Sequence, residues 1–393
     1  MGAERHLLPA VNAAFCNGIS GHALELDDIH TESSLHPGVV VVPTALAACE
    51  RAGADGETLL KAVVLGYEVM TRMGMAIDPK AHYARGFHPT ATCGCFGALA
   101  AAGYVFGLSF QEFLNGYGIA ASMASGLLEF SYSGSWVKRF QVGWAAHSGV
   151  TAAILAKKGF TGSPTAITGR YGFLRSHSDT VHPEALSEAL GETYEVSRTQ
   201  IKYFACCTYQ HAALTGVIQM IKEREFRAGD VARIDIGVVE PALRLTYEPR
   251  EAKVKPQSIV DAQFSLPYGV AVCVLFGNAS INEYNETLLQ DASVLELAGK
   301  VYVRYEPELD KYYPKYFPAK VEITLNSGER LQKTVTSPKG YPDNPLSDVE
   351  LEDKFGTLAG RVFQEDRVKV LLEAVRTLET VEDLRSFARL LGT

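Results

Sequence analysis

Up to about residue 200, apolar positions recur at helical spacing. The stretch ETLLKAVVLGYEVMTRMGMAI (57–77) shows it plainly, and 109–130 and 141–160 repeat it with many Ala, Gly and Ser residues. Helices that are apolar on most sides belong inside a bundle, and small side chains predict close approach of their axes. Two of the predicted helices begin at a His-Pro pair. His36-Pro37 precedes VVVVPTALAA, and His88-Pro89 opens the small-residue run TATCGCFGALAAAG. Proline suits the first helical turn, where free N–H groups and a partial positive charge are presented. A histidine at such a mouth is placed to meet a carboxylate. The alternative is an ordinary helix start with an incidental ring.

Beyond residue 200 the pattern changes. TYQHAALTGVIQMIKEREF (208–226) reads as one amphipathic helix, and VARIDIGVVEPA alternates as a strand does. AKVEITLNSGERLQKTVTS (319–337) predicts a hairpin about Asn326-Ser327-Gly328. Ser347 with Glu350 forms a capping box ahead of further helix. The expected architecture is mainly α with a smaller α+β domain. An all-helical domain spans 1–200, an α+β domain spans 201–344, and helices in 345–393 pack back on the first.

Composition narrows the partners. The chain has 393 residues, enough for two domains and a large core, with 47% hydrophobic and 21% charged residues. A net charge of −8 without a basic cluster argues against nucleic acid or an anionic membrane. It leaves room for a small anionic substrate in a local cationic pocket. The seven cysteines lack CxxC spacing and no HExxH occurs, so neither a disulfide framework nor a metal site is expected. Reduced thiols, no signal peptide and no membrane span together predict a cytoplasmic protein.

Candidate chemistry concentrates early, since nine of the ten histidines precede residue 183 and the tenth is His211. In HALELDDIHTESSLHPG (22–38), Glu25 and Asp28 would share a helical face with His22 one turn earlier, and His36 follows in the next turn. A carboxylate beside imidazoles fixes a tautomer and raises basicity, as acid–base work requires. The other reading is a polar helix end capped by its own side chains. In SGSWVKRFQVGWAAHSG, Lys138 is flanked by Trp136 and Phe140, which predicts a partly desolvated cation. Two snorkelling surface cations remain open as a reading of Lys138 and Arg139. His147 in the same helix is equally a core histidine or a ligand, His82 reads as structural, and His6, His177 and His182 read as solvated. IKYFACCTYQH sets Lys202 and His211 on either side of Cys206-Cys207 at the domain junction, where ligand sites tend to form. AQFSLPYGVAV adds Tyr268 before another apolar helix. Phosphate-loop, dinucleotide and Ser-His-Asp signatures are absent.

Taken in order, seven segments resemble the MmgE/PrpD family. They are HALELDDIH…HPG, LLKAVVLGYEV, GFHPTATCGCFGALAAA, WVKRFQVGWAAHSGVTAAILAKKGFTG, KYFACCTYQH, DAQFSLPYGVAV and SPKGYPDNPLSDVELEDKF. The resemblance implies a helical domain built from both chain ends, an α+β lid, and a site between them. It also implies a homodimer that acts on a small polycarboxylate without metal or organic cofactor. By motif, Asp28, His36, His88 and Lys138 become the catalytic candidates. Lys202, Tyr268, Glu25, Cys207 and His211 become the substrate-binding candidates.

Some positions depart from the family pattern. Glu25 and Ile29 stand where the family commonly has Asp and Thr, and Cys207 stands where its decarboxylase branch carries His. The sequence around Lys138 is unlike that of dedicated 2-methylcitrate dehydratases. Members of the family also begin with further helix, so part of the bundle or dimer surface is expected to lie uncovered. Dehydration, decarboxylation and epimerisation of such acids all build negative charge beside a carboxylate, which cations and a proton-transfer group must meet. The resemblance therefore implies a lyase, first of all a dehydratase. An epimerase or decarboxylase is the alternative, and an inactive carboxylate-binding relative is a further one.

Overall fold

A computed structural model describes residues 6–133 and 135–392; the outermost residues of the expected helical domain, 1–5 and 393, lie outside them. Helix Pro89–Val105 runs through the middle of the N-terminal half, buried at every position from Pro89 to Gly103. Helices Gly38–Ala52, Gly56–Ala76 and Val137–Lys157 enclose it, and Ala10–Gly21 lies along the last of these. Small residues make this enclosure possible. A Cβ on Gly149 would overlap Ala98, and one on Gly97 would come 2.7 Å from the Gly66 carbonyl oxygen. Only glycine lets those helix pairs pack so closely.

The helix expected over 109–130 stops at Ala121, after a capping box formed by Ser109 and Glu112. Gly126, at φ 145°, lies in the irregular segment that follows. That break frees backbone carbonyls, and the Gly126 oxygen accepts the His88 N–H at 3.0 Å.

Past residue 200, helix His211–Glu223 packs on a four-stranded sheet in the order β2-β1-β3-β4. The strands are β1 Val231–Val238, β2 Val301–Tyr305, β3 Ala319–Leu325 and β4 Arg330–Val335. The predicted hairpin is β3–β4, antiparallel and turned through Gly328 at φ 87°. β2 pairs parallel to β1 and has no counterpart among the expected elements. Alternation in β3 buries Ala319, Val321, Ile323 and Leu325 against the helices of this half.

Two hydrophobic cores result. One is drawn from residues 204–335, with Leu26 and Leu358 at its edge, and the other from 10–174 with Leu384 and Phe387. The end of the chain thus returns to the first bundle, where the Leu384 N–H donates to the Ala54 carbonyl at 2.9 Å. The chain is mainly helical with a small mixed sheet.

Candidate active site

The acidic segment after the first helix is a loop, not a helical face. Helix Ala10–Gly21 ends before His22, and Glu25 sits at φ 53°, so Glu25, Asp28 and His22 do not line up by helical spacing. Distant partners shape the loop instead. Ile29 and Gln200 exchange backbone hydrogen bonds at 2.9 and 2.7 Å. His30 is held between Ser33, at 2.8 Å, and the Glu195 carboxylate, at 3.0 Å. Lys354 reaches in from helix Asp348–Ala359 and donates to the Leu26 carbonyl at 2.9 Å and the Lys202 carbonyl at 2.8 Å.

This shape carries Glu25 inward between two lysines. One oxygen accepts from Lys138, and the other accepts from Lys202 at 3.2 Å. Burial works against the Glu25 carboxylate, but Lys138 and Lys202 hold it far below the usual range. Burial likewise works against the Lys202 ammonium, while Glu25 and Asp27 keep it above its ordinary value. Lys138 is buried, yet not by its flanking aromatics. Trp136 and Phe140 are 75% and 47% exposed, and the ring over the Lys138 ammonium is Phe264, 5.0 Å away.

Three imidazoles gather beside this charge cluster. The His22 ring centroid is 5.2 Å from His36 and 6.3 Å from His88. His36 Nδ1–H donates to the Asp28 carbonyl at 2.6 Å. His88 Nδ1 is 2.9 Å from the side-chain oxygen of Gln141, whose amide nitrogen donates to the Leu127 carbonyl. A carbonyl only accepts, so both rings carry hydrogen on Nδ1 and leave Nε2 with a lone pair. Burial pushes His36 down to about 3 and His88 well below its ordinary value, and Lys138 and His22 add to the effect on His88. Both are therefore neutral bases. Asp27 lies between His22 and His36, with Oδ2 2.7 and 3.3 Å from their Nδ1 atoms. Burial disfavours the Asp27 charge, but His22, His36 and Lys202 hold this carboxyl well below the usual range.

The structure brings Glu25, His36, His88, Lys138 and Lys202 together, with Cys207 at the edge. Burial raises the Cys207 thiol, against the influence of nearby Lys202. Asp28 acts differently from expectation. Its carboxylate accepts from the Gly38 N–H at 2.9 Å and the Tyr67 hydroxyl at 2.6 Å, holding the start of the next helix. Two expected site residues point elsewhere. The Tyr268 hydroxyl donates to the Glu283 carbonyl at 2.8 Å within the second core. His211 packs edge-on against Phe204, and burial takes it down to about 3. In each case an apolar helix turns the ring into its own core. His177 is also not simply solvated, since it lies 4.5 Å from the Phe173 ring and 4.7 Å from Phe87. His82 is structural as read, bridging the His177 carbonyl and Thr92.

Asp27, Gln141, Phe264 and Lys354 escaped the sequence reading, and His22 was seen only as a helix-face neighbour. Gln141 lies one turn beyond Lys138, the single local signal among them. Among the described residues, no group of three or more His, Cys, Asp and Glu side chains is placed to hold a metal ion.

Residues 1–185 match the MmgE/PrpD N-terminal domain, and 204–380 match the MmgE/PrpD C-terminal domain. The chain belongs to the MmgE/PrpD family. Among curated MmgE/PrpD relatives is a cis-aconitate decarboxylase-like protein of Aspergillus oryzae, 28% identical, with 97% of this chain and 82% of the relative aligned. The cis-aconitate decarboxylase of Aspergillus terreus is also 28% identical, over 98% of this chain and 82% of that protein. The human cis-aconitate decarboxylase is 26% identical, over 98% and 80%. In this MmgE/PrpD chain the clustered side chains come from both matched domains: Glu25, His36, His88 and Lys138 from the first, and Cys207 and Phe264 from the second. Among the described residues no helix is long and apolar enough to cross a membrane.

Proposed function

We propose that this chain is a lyase that acts on a small di- or tricarboxylate, with dehydration as the first reading. One observation carries it: two buried lysines converge on a single carboxylate directly beside two neutral imidazoles. Lysines so placed meet negative charge as it develops on a substrate carboxylate, and they act most strongly where water is excluded. A neutral Nε2, on His88 or His36, takes the proton from the carbon next to that carboxylate. The hydroxyl on the neighbouring carbon then leaves with a proton as water. A lid role for the second domain belongs to the same proposal, since Phe264 lies over the Lys138 ammonium.

Decarboxylation is the second reading, and the names of the curated relatives favour it. There the lysines stabilise the charge left behind as CO₂ departs, and a proton must be delivered to carbon. Incubation with 2-methylcitrate, citrate and cis-aconitate in D₂O, followed by NMR, separates the outcomes. Loss of water supports dehydration, loss of CO₂ supports decarboxylation, and deuterium uptake without either marks an epimerase. If every acid is left unconsumed and unexchanged, the lyase reading is wrong.

A further inference from the structure

The chemistry above leaves one imidazole of the cluster unused. His22 is completely buried, its Nδ1–H donates to Asp27 Oδ2 at 2.7 Å, and its Nε2 has no hydrogen-bond partner among the described residues. Asp27 Oδ1 is likewise buried without a partner among them. Buried polar atoms are nearly always paired, so an orphaned imidazole nitrogen beside an orphaned carboxylate oxygen calls for a reason. Packing alone supplies none, because an apolar side chain of similar size would fill the space without that penalty.

The neighbours of His22 suggest what it does. His36 and His88 both direct Nδ1–H outward to carbonyl acceptors, and both are neutral bases. Each is set to accept a proton, and neither holds one to give. The ammonium groups of Lys138 and Lys202 are engaged with Glu25. Dehydration needs an acid for the leaving hydroxyl as well as a base for the carbon proton. Decarboxylation needs a proton for carbon. Among the three imidazoles His22 has the closest carboxylate, Asp27 Oδ2 at 2.7 Å against 3.3 Å for His36, whose Nδ1–H is already taken by the Asp28 carbonyl. A cation there would face Asp27 directly, with Glu25 also near enough to feel its charge, and the two neutral rings on its other side.

We infer that His22, oriented by Asp27, is the proton store of this site, holding a proton on Nε2 and passing it to the neighbouring neutral imidazole that faces the leaving group. This rests on the acid–base lyase reading. Asp27 accepts Nδ1–H throughout and stays ionised. In dehydration the Nε2 proton crosses one bridging water to His36 and goes on to the departing oxygen, which leaves as water with the C–O bonding pair. The C–H electron pair becomes the new double bond, the carbon proton passes to His88, and it returns to His22 across a bridging water, so no net proton is consumed. In decarboxylation the stored proton ends on carbon, and solvent replaces it.

His22→Asn is the decisive variant, because its amide still donates to Asp27 from the Nδ1 position while the Nε2 site is gone. On whichever acid the wild type turns over, kcat should fall about 10²–10⁴-fold, the range typical for a lost acid–base group. KM should stay within about threefold, as expected when an interaction made only in the transition state is removed. Ring-nitrogen ¹⁵N NMR of the wild type, with and without citrate, should show His22 as an imidazolium in at least one condition, with His36 and His88 neutral. This second measurement needs no variant. A His22→Asn kcat within about twofold of wild type, or a neutral His22 in both spectra, overturns the inference. If the wild type turns over none of the acids, the lyase reading fails by itself, and the NMR result still decides the state of His22.

Discussion

Lys138 and Glu25 lie 113 positions apart in the chain and form a buried ion pair. Lys202 completes the arrangement on the other carboxylate oxygen. Removing one member of such a set strands the opposite charge in a dry interior, which typically costs about 3–5 kcal/mol.

Glu25→Gln should therefore lower unfolding stability by about 3–5 kcal/mol at pH 7, read from the denaturant midpoint. The Glu25 carboxyl titrates far lower in the fold than in the unfolded chain, where 4.5 is its ordinary value. Its contribution is thus complete above that ordinary value and is lost only as pH falls through the lowered folded one. The gap between wild type and variant should persist at pH 5 and close only in stronger acid. A gap that has already closed at pH 5 contradicts the pairing. On turnover, Lys138→Ala should lower kcat about 10²–10³-fold, and near-normal activity removes Lys138 from the site.

His88→Gln should lower kcat about 10²-fold with unchanged circular dichroism, because Pro89 and Thr90 still begin the helix. Gln141→Glu probes the same ring from behind. It replaces the carbonyl acceptor of His88 with a carboxylate, which favours the imidazolium and should move the acid limb of kcat/KM upward by about one pH unit or more. An unmoved limb means that His88 is not the titrating base.

Asp28→Asn tests stability and not chemistry. Burial raises the Asp28 carboxyl from 3.8 to about 6 despite donation from Tyr67 and Gly38. A raised carboxyl stabilises the fold fully below its unfolded value, and that contribution is lost as pH rises through the folded one. The melting temperature of the wild type, relative to Asp28→Asn, should therefore drop between pH 4 and pH 7. A difference that is constant across that range shows that Asp28 does not titrate there.

Lys354 ties helix Asp348–Ala359 to the two segments that carry Glu25 and Lys202. Burial and Lys202 bring its ammonium down to about 8. Above that pH it loses the charge that strengthens both hydrogen bonds to carbonyls, so a basic limb near pH 8 is expected in kcat/KM. Lys354→Arg should move that limb upward, since a guanidinium keeps its proton, and Lys354→Met should lower kcat/KM about tenfold below the limb, with the difference shrinking above it. Identical profiles in wild type and Lys354→Arg assign the limb to another group.

Much of this protein follows from short-range order. The helix Pro89–Val105 is buried from Pro89 to Gly103 because that run is almost all small or apolar residues, and His88 marks its start through the proline that follows. The β3–β4 hairpin and the Ser347 capping box depend on neighbours within a few residues. The motifs around His36, His88, Lys138 and Lys202 also named residues that meet in space, since each stands out chemically in its own surroundings.

Tertiary structure decided the rest. A three-residue spacing between Glu25 and Asp28 suits a helix as well as a loop, and the loop prevails because Gln200, Glu195 and Lys354 hold it from far along the chain. The parallel pairing of β2 with β1 depends on a partner more than sixty residues away, which no local pattern records. Tyr268 and His211 carry suitable chemistry, yet their helices turn them into a core, because burying a ring outweighs presenting it to the charge cluster. Asp27, Gln141 and Lys354 look like ordinary polar residues in the sequence. Their roles come from distances and burial, which arise only once both halves of the chain are folded together.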